Sequence, residues 1–184
     1  MFKSVSQKEK EVFAALKDKF GYTNSMQSPV VEKVIVSTGV GSITDKKKLE
    51  EISAKIALIT GQKPVVRHAK KAISNFKLRE GMPVGVSVTL RGQRMYDFFG
   101  KLVDVVFPRI RDFRGFTVKS FDGSGNYSIG LNDHTVFPEI NLDDIVQTHG
   151  LQINIQTTAT DNEGAEKLFE LYKFPFKETN TVKK

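Results

Sequence analysis

Apolar residues recur along this chain in two alternating patterns. One pattern has the 3.6-residue spacing of an amphipathic helix, as in Val12, Leu16 and Phe20. The other consists of short runs rich in β-branched residues, which are typical of strands. Together they predict helices over about 6–20, 45–60, 93–107 and 160–172, and strands over about 30–38, 65–66, 84–90, 127–131 and 151–158.

Local signals support the predicted boundaries. Ser6-x-x-Glu9 and Thr160-x-x-Glu163 have the spacing of capping boxes, and Pro108 is expected to end the third helix. In 84–90, Val84, Val86, Val88 and Leu90 alternate with Gly85, Ser87, Thr89 and Arg91. This alternation predicts a half-buried strand with one apolar and one polar face. The expected fold is α+β: a single antiparallel-rich sheet with helices packed on one face and the other face open.

Composition fits one globular domain. The chain has 184 residues, of which 39% are hydrophobic and 27% charged. We expect residues 1–177 to form that domain and residues 178–184 to be a disordered tail. Without cysteine there can be no disulfide and no thiolate ligand, and we find neither a signal peptide nor a membrane-spanning run. A cytoplasmic location and no membrane partner are expected.

Positive charge is concentrated in the centre of the chain. The net charge is +3 for residues 1–61, +9 for 62–119 and −5 for 120–184. From Gln62 to Arg79 there is no acidic residue, and Phe76 lies among six cations: Lys63, Arg67, Lys70, Lys71, Lys77 and Arg79. Cations neutralise phosphates while an aromatic ring stacks on unpaired bases. The stretch predicts an RNA-binding surface.

A second stretch, 108–115, repeats this chemistry, with Phe113 as a further candidate for base stacking. No helix-turn-helix or zinc signature indicates DNA binding. Ser74-x-x-Lys77 lacks the companion motifs of a serine enzyme, and the three histidines do not have the spacing of metal ligands, so we expect surface histidines, no metal and no cofactor. From the residues alone, a small enzyme acting on a phosphorylated substrate and a free-standing RNA- or tRNA-binding protein remain alternatives.

Several longer motifs carry a family resemblance. They are Met26-Gln27-x-Pro29, Leu58 to Pro64, Lys70 to Pro83, Val88 to Gly92, Pro108 to Gly115, Ser120 to Tyr127 and Phe137-Pro138-Glu139-Ile140. In this order and spacing they resemble the bacterial large-subunit ribosomal protein five family over nearly the whole chain. The resemblance implies a structural, non-catalytic protein of the central protuberance. Its implied partners are 5S rRNA with the neighbouring 23S rRNA, the peptidyl-site tRNA and small-subunit protein thirteen.

The resemblance also implies roles for particular residues. The rRNA-binding set is Lys33, Ser37, Gln62, Lys63, Thr89, Arg91 and Arg94. The tRNA-contacting loop, at about 67–83, contributes Lys70, Lys71, Asn75, Phe76, Lys77 and Arg79. The bridge to the small subunit is expected at Arg109, Arg111, Asp112 and Arg114. Ser37 stands where the family usually has Asn, and Ser124, residues 132–135 and His149 also depart from the common pattern.

Overall fold

The computed structural model describes residues 5–41, 46–141 and 148–177, with backbone alone at 5–10, 18, 46 and 47. The side chains of Ser6 and Glu9 and the tail 178–184 lie outside this description. The helices are α1 (Val5–Phe20), α2 (Lys46–Thr60), α3 (beginning with Gly92–Lys101) and α4 (Asn162–Leu171). The strands are β1 (Val31–Gly39), β2 (Val65–His68), β3 (Pro83–Leu90), β4 (Tyr127–Leu131) and β5 (Leu151–Thr157).

All five strands join one sheet in the order β2-β3-β1-β5-β4, and every neighbouring pair is antiparallel. Along β1, β4 and β5 the buried side chains alternate with more exposed ones, so the sheet has one covered face. The covered face of β1 carries Val34 and Val36, and that of β5 carries Ile153 and Ile155, all fully buried. This arrangement confirms the expected α+β fold.

Aromatic packing fills much of the core between the sheet and the helices. Phe99 of α3 and Phe169 of α4 have ring centroids 6.0 Å apart, and Phe174, just after α4, lies 5.2 Å from Phe169. Tyr127 of β4 joins the cluster at 5.4 Å from Phe174. Rings at such separations add edge-to-face attraction to the burial of apolar area.

Helix α3 does not end before Pro108, contrary to the expectation. A π-helical segment, Leu102–Val106, continues it, and a last α-helical turn, Phe107–Arg109, includes the proline. The N–H of Phe107 donates to the carbonyl of Leu102, five residues back. A widened turn of this kind relieves the contact that a proline ring otherwise makes with the carbonyl four residues earlier.

The start of α4 also differs from the expectation. Its N-cap is Asp161, and the hydroxyl of Thr160 donates to the Asp161 carboxylate instead of capping the helix. The predicted capping box at Thr160 and Glu163 is therefore wrong. The helix itself, which buries Leu168 and Phe169, confirms the predicted element, because its apolar stripe packs into the core.

Candidate nucleic-acid interface

The sheet face away from the helices carries hydroxyl and amide side chains in register across the strands. One row runs over all five strands, from Val65 through Ser87, Ser37 and Gln152 to Gly130. With neighbouring strands about 4.8 Å apart, this row is roughly 19 Å long. We call this surface the open face.

A second row on the open face aligns Thr89 of β3, Ile35 of β1, Asn154 of β5 and Ser128 of β4. Beside it, Lys33 of β1 lies opposite Gln156 of β5. Hydroxyl and amide groups both donate and accept hydrogen bonds, so these rows can pair with ribose 2′-hydroxyls and base edges. Lys33 adds one partly exposed cation at the same end.

The structure brings together three of the residues that the resemblance implies. Ser37 and Thr89 lie on adjacent strands of the open face. Gln62 precedes β2, and its Nε2 donates to the backbone carbonyl of Thr89 at 3.3 Å. This hydrogen bond fixes the Gln62 side chain at the edge of the open face and leaves its Oε1 available to a ligand.

The remaining members of the implied rRNA-binding set lie around the open face. Arg91 follows β3, is exposed, and contacts Glu32 at 3.4 Å, a surface ion pair of small energetic value. Lys63 is exposed immediately after Gln62. Arg94 lies on α3, where it lines a groove with Leu58 and Gly61 on the helix side of the molecule. Arg94 is therefore the member placed away from the open face.

Sequence reasoning missed the contribution of β5. Gln152, Asn154 and Gln156 alternate with buried Leu151, Ile153 and Ile155, so their side chains share the open face with β1. This alternation of polar and apolar residues can be seen in the sequence. What the sequence did not show is that β5 pairs with β1, which puts these amides next to Ser37 and Lys33.

The alternation in β3 also predicted that Ser87 would be open to a ligand. Instead Ser87 is only 8% exposed, because the side chain of Arg67 from the edge strand β2 covers it. Arg67 Nε donates to Ser87 Oγ at 2.8 Å. The guanidinium thus takes the place of a ligand at this position and brings a cation onto the open face.

The basic loop between β2 and β3 forms a hairpin arm, which we call the basic hairpin (67–83). Each of its candidate tRNA-contacting side chains is exposed to solvent. Phe76 is 68% exposed and Ile73 44% exposed at its tip. Exposed apolar groups beside cations suit stacking on nucleic-acid bases.

Backbone hydrogen bonds hold the two sides of the basic hairpin together. Ile73 and Leu78 exchange two backbone hydrogen bonds, of 3.0 and 3.1 Å. At the root of the arm the N–H of Ala69 donates to the carbonyl of Met82 at 2.8 Å. Lys77 takes a left-handed conformation, with φ of 54°, which closes the tip.

The arginine segment (108–115) borders a cavity of about 860 Å³, the arginine cavity, whose opposite wall is the turn after β4. Arg109, Arg111, Asp112 and Arg114 are all exposed there. Phe113 was a candidate for base stacking, but its ring packs on Phe107 and Phe116, with centroids 5.9 and 5.0 Å apart. Phe113 therefore anchors the segment to the core.

Other site chemistries find little support in the described residues. Within the three described ranges no three potential metal ligands come together. None of the helices described in these ranges is long and apolar enough to cross a bilayer. The surface consists of polar groups on a rigid sheet, flanked by cations on the basic hairpin and the arginine segment.

Comparison with known proteins identifies the family. A family model described as "Ribosomal protein L5" matches residues 24–79, and a second model, which describes the C-terminus of the same ribosomal protein family, matches residues 83–176. The large ribosomal subunit protein uL5 of Halothermothrix orenii is 52% identical over 171 residues, covering 92% of this chain and 96% of that protein. That of Lactobacillus acidophilus is 49% identical over 174 residues, covering 94% and 97%. The chain therefore belongs to the ribosomal protein L5 family, a family of large-subunit ribosomal proteins and not of enzymes.

Proposed function

We propose that this protein binds 5S rRNA through the open face, within the central protuberance of the large subunit. One observation carries the proposal: hydroxyl and amide side chains stand in register across the exposed side of a rigid sheet, next to Lys33 and Arg67. Uncharged hydrogen-bonding groups distinguish one RNA from another, whereas cations bind all of them. As a family member, the chain is a constituent of the large ribosomal subunit in the cytoplasm.

We further propose a second RNA contact at the basic hairpin. Its exposed cations and the exposed ring of Phe76 suit the elbow of the peptidyl-site tRNA, where phosphates and stacked bases meet. The arm connects β2 and β3 and continues past the end of their ladder at His68 and Pro83, so it can reach a different RNA from the one bound on the open face.

The arginine segment is the proposed contact to small-subunit protein thirteen. Three exposed guanidinium groups and a cavity beside them fit a protein partner with acidic or carbonyl groups. The 23S rRNA near the 5S rRNA site is the remaining proposed neighbour, and Arg94 on the helix side is available for it.

Filter binding tests the central proposal. The protein should bind 5S rRNA with clear preference over unrelated hairpins of equal length. If about six phosphates are neutralised, the logarithm of the affinity should fall against the logarithm of the salt concentration with a slope of about −4 to −5. Equal affinity for all RNAs, or a flat salt response, would contradict the proposal.

A further inference from the structure

Two of the three histidines that were expected at the surface stack on each other, with His134 buried and His149 half-buried. His134, in the turn after β4, has no exposed area, and His149 precedes β5. Their ring centroids are 3.9 Å apart and their planes differ by 18°. We call this pair the histidine stack. The expectation of surface histidines is therefore wrong for His134.

The surroundings of the ring nitrogens favour neutral over charged rings in the stack. The backbone N–H of His149 donates to Nδ1 of His134 at 3.3 Å. The same nitrogen lies 3.4 Å from the backbone carbonyl oxygen of His149, so the neutral ring accepts from the N–H or donates to the carbonyl according to its tautomer. The Nε2 atoms of both rings are buried and have no hydrogen-bond partner among the described residues. An imidazolium at either position would lack an acceptor there.

The charged groups near the stack act in opposite directions. Lys55 of α2 opposes a proton on either ring, while Asp133, next to His134 in the chain, favours one on His134. Burial dominates, and it lowers the pKa of His134 below its usual range. Burial, followed by repulsion from His134, lowers the pKa of His149 to about 4.

The histidine stack lies between the arginine cavity and the start of β5. The neighbours of His134 in the turn, Asp133 and Thr135, line the arginine cavity opposite the arginine segment. On the other side, the carbonyl of Gly150 accepts a hydrogen bond from the Thr38 hydroxyl of β1 at 2.6 Å. The stacked rings therefore join one wall of the cavity to the entry of β5.

We propose that the histidine stack is a proton-sensitive clamp: the neutral rings hold the 133–137 turn against residues 149–150, and a proton on either ring releases the turn and reshapes the arginine cavity. A metal ion is a poorer occupant, because rings stacked face to face cannot aim two lone pairs at one ion. This inference concerns the free protein and does not rest on RNA binding.

Proton linkage sets the direction and size of the pH dependence of the clamp. A released His149 takes up a proton near the ordinary pKa of 6.5, whereas the clamped ring does so only at about 4. The protonation contribution to the clamp is therefore fully present above about pH 7 and weakens progressively as the pH falls from 6.5 towards 4. Between pH 7.5 and pH 5, the ratio of clamped to released turn should fall by roughly 30-fold.

NMR of the free protein tests the clamp. The C2–H signals of His134 and His149 should report pKa values below the ordinary histidine value of 6.5. The amide of Phe137, which donates to the His134 carbonyl, should lose roughly 30-fold of its protection against hydrogen exchange between pH 7.5 and 5. The amide of Val34 in the sheet centre should keep its protection. Titration of His134 and His149 at the ordinary histidine value, or constant protection of Phe137, would overturn the proposal.

Two variants make the test specific. In a double variant, His134→Gln keeps an acceptor for the His149 N–H and His149→Phe keeps a ring at position 149, and neither side chain can take up a proton. The protection of Phe137 should therefore be the same at both pH values. In the control, His68→Gln removes an exposed histidine and should leave the response of Phe137 unchanged. A pH response that survives in the double variant would assign the effect to other groups and defeat the proposal. Should the double variant fail to fold, the titration of the unmodified protein decides.

Discussion

Two threonines on opposite faces of the sheet allow the same substitution to separate binding from folding. Thr89 of β3 is half-buried on the open face, and its hydroxyl makes no hydrogen bond with another described residue. Thr38 of β1 is 6% exposed on the helix side, and its hydroxyl donates to Gly150. Valine keeps the β-branched shape and removes only the hydrogen-bonding group.

For Thr89→Val we expect a loss of RNA affinity without a loss of stability. If the hydroxyl pairs with a ribose or base group in the complex, the orphaned partner costs about 1–3 kcal/mol, which corresponds to roughly 5- to 150-fold in affinity. The free energy of unfolding should change by less than about 0.5 kcal/mol, because no intramolecular hydrogen bond is broken.

For Thr38→Val we expect the opposite. The Gly150 carbonyl loses its donor beside a buried position, at a cost of about 2 kcal/mol. For a protein of this size that lowers the melting temperature by about 4–8 °C. The folded fraction should bind 5S rRNA with unchanged affinity.

Filter binding with 5S rRNA and thermal denaturation, measured on both variants and the unmodified protein, complete the design. An unchanged affinity for Thr89→Val, within about twofold, would refute the assignment of the open face as the rRNA site. A fall in affinity for Thr38→Val measured well below its melting temperature would show that binding follows general sheet integrity and would refute the reasoning equally.

Three further predictions follow from the structure. Replacing Lys70, Lys71, Lys77 and Arg79 of the basic hairpin by glutamine should leave 5S rRNA in the large subunit while accelerating tRNA dissociation from the peptidyl site. Loss of 5S rRNA from the subunit would instead make the basic hairpin an rRNA anchor. In thermal unfolding, Gly115→Ala should destabilise the protein by about 2–4 kcal/mol, because φ is +85° and a Cβ would lie 2.7 Å from the Lys177 backbone nitrogen. Gly123→Ala is the control: φ is +94° but a Cβ would meet open space, so the cost should be about 1 kcal/mol. Hydrogen bonds from Asn126 and then the Ser124 N–H hold the pKa of Asp122 below its usual range, so the stability lost in Asp122→Asn should be greatest above about pH 5 and vanish as the carboxylate protonates in acid.

Local pattern was sufficient to predict the secondary structure of this chain. The stripe of Met95, Phe98, Phe99, Leu102 and Val106 is buried as its spacing predicted. The predicted helix boundaries were wrong where a tertiary or backbone effect outweighed the local sequence signal. Pro108 stayed helical because a π-helical segment precedes it. Thr160 did not cap because the helix begins one residue later, with Asp161 at the N-cap position and the Thr160 hydroxyl bonded to its carboxylate. Neither effect has a sequence signal at the affected residue.

The candidate site was predictable only in part, for a physical reason. A cation-rich stretch or an alternating strand can be recognised from the local sequence alone, so Thr89 and the basic hairpin could be predicted. A row across a sheet depends on which strands pair and in which register, and residues 34 and 155 are joined by that pairing alone. The amides of β5 and the histidine stack both arise from contacts between distant segments, and both were missed.

Strand order also fits the proposal that one small sheet serves two RNAs. β1 and β5 are interior strands, each paired on both sides, so the polar rows they carry are held rigidly and can discriminate between ligands by hydrogen-bond geometry. β2 is an edge strand with one partner, and the basic hairpin that extends from it is held by its own ladder. A contact there rests on charge and stacking, which tolerate a moving ligand. We therefore expect mutations in the open face to change which RNA is bound, and mutations in the hairpin to change how tightly a passing tRNA is held.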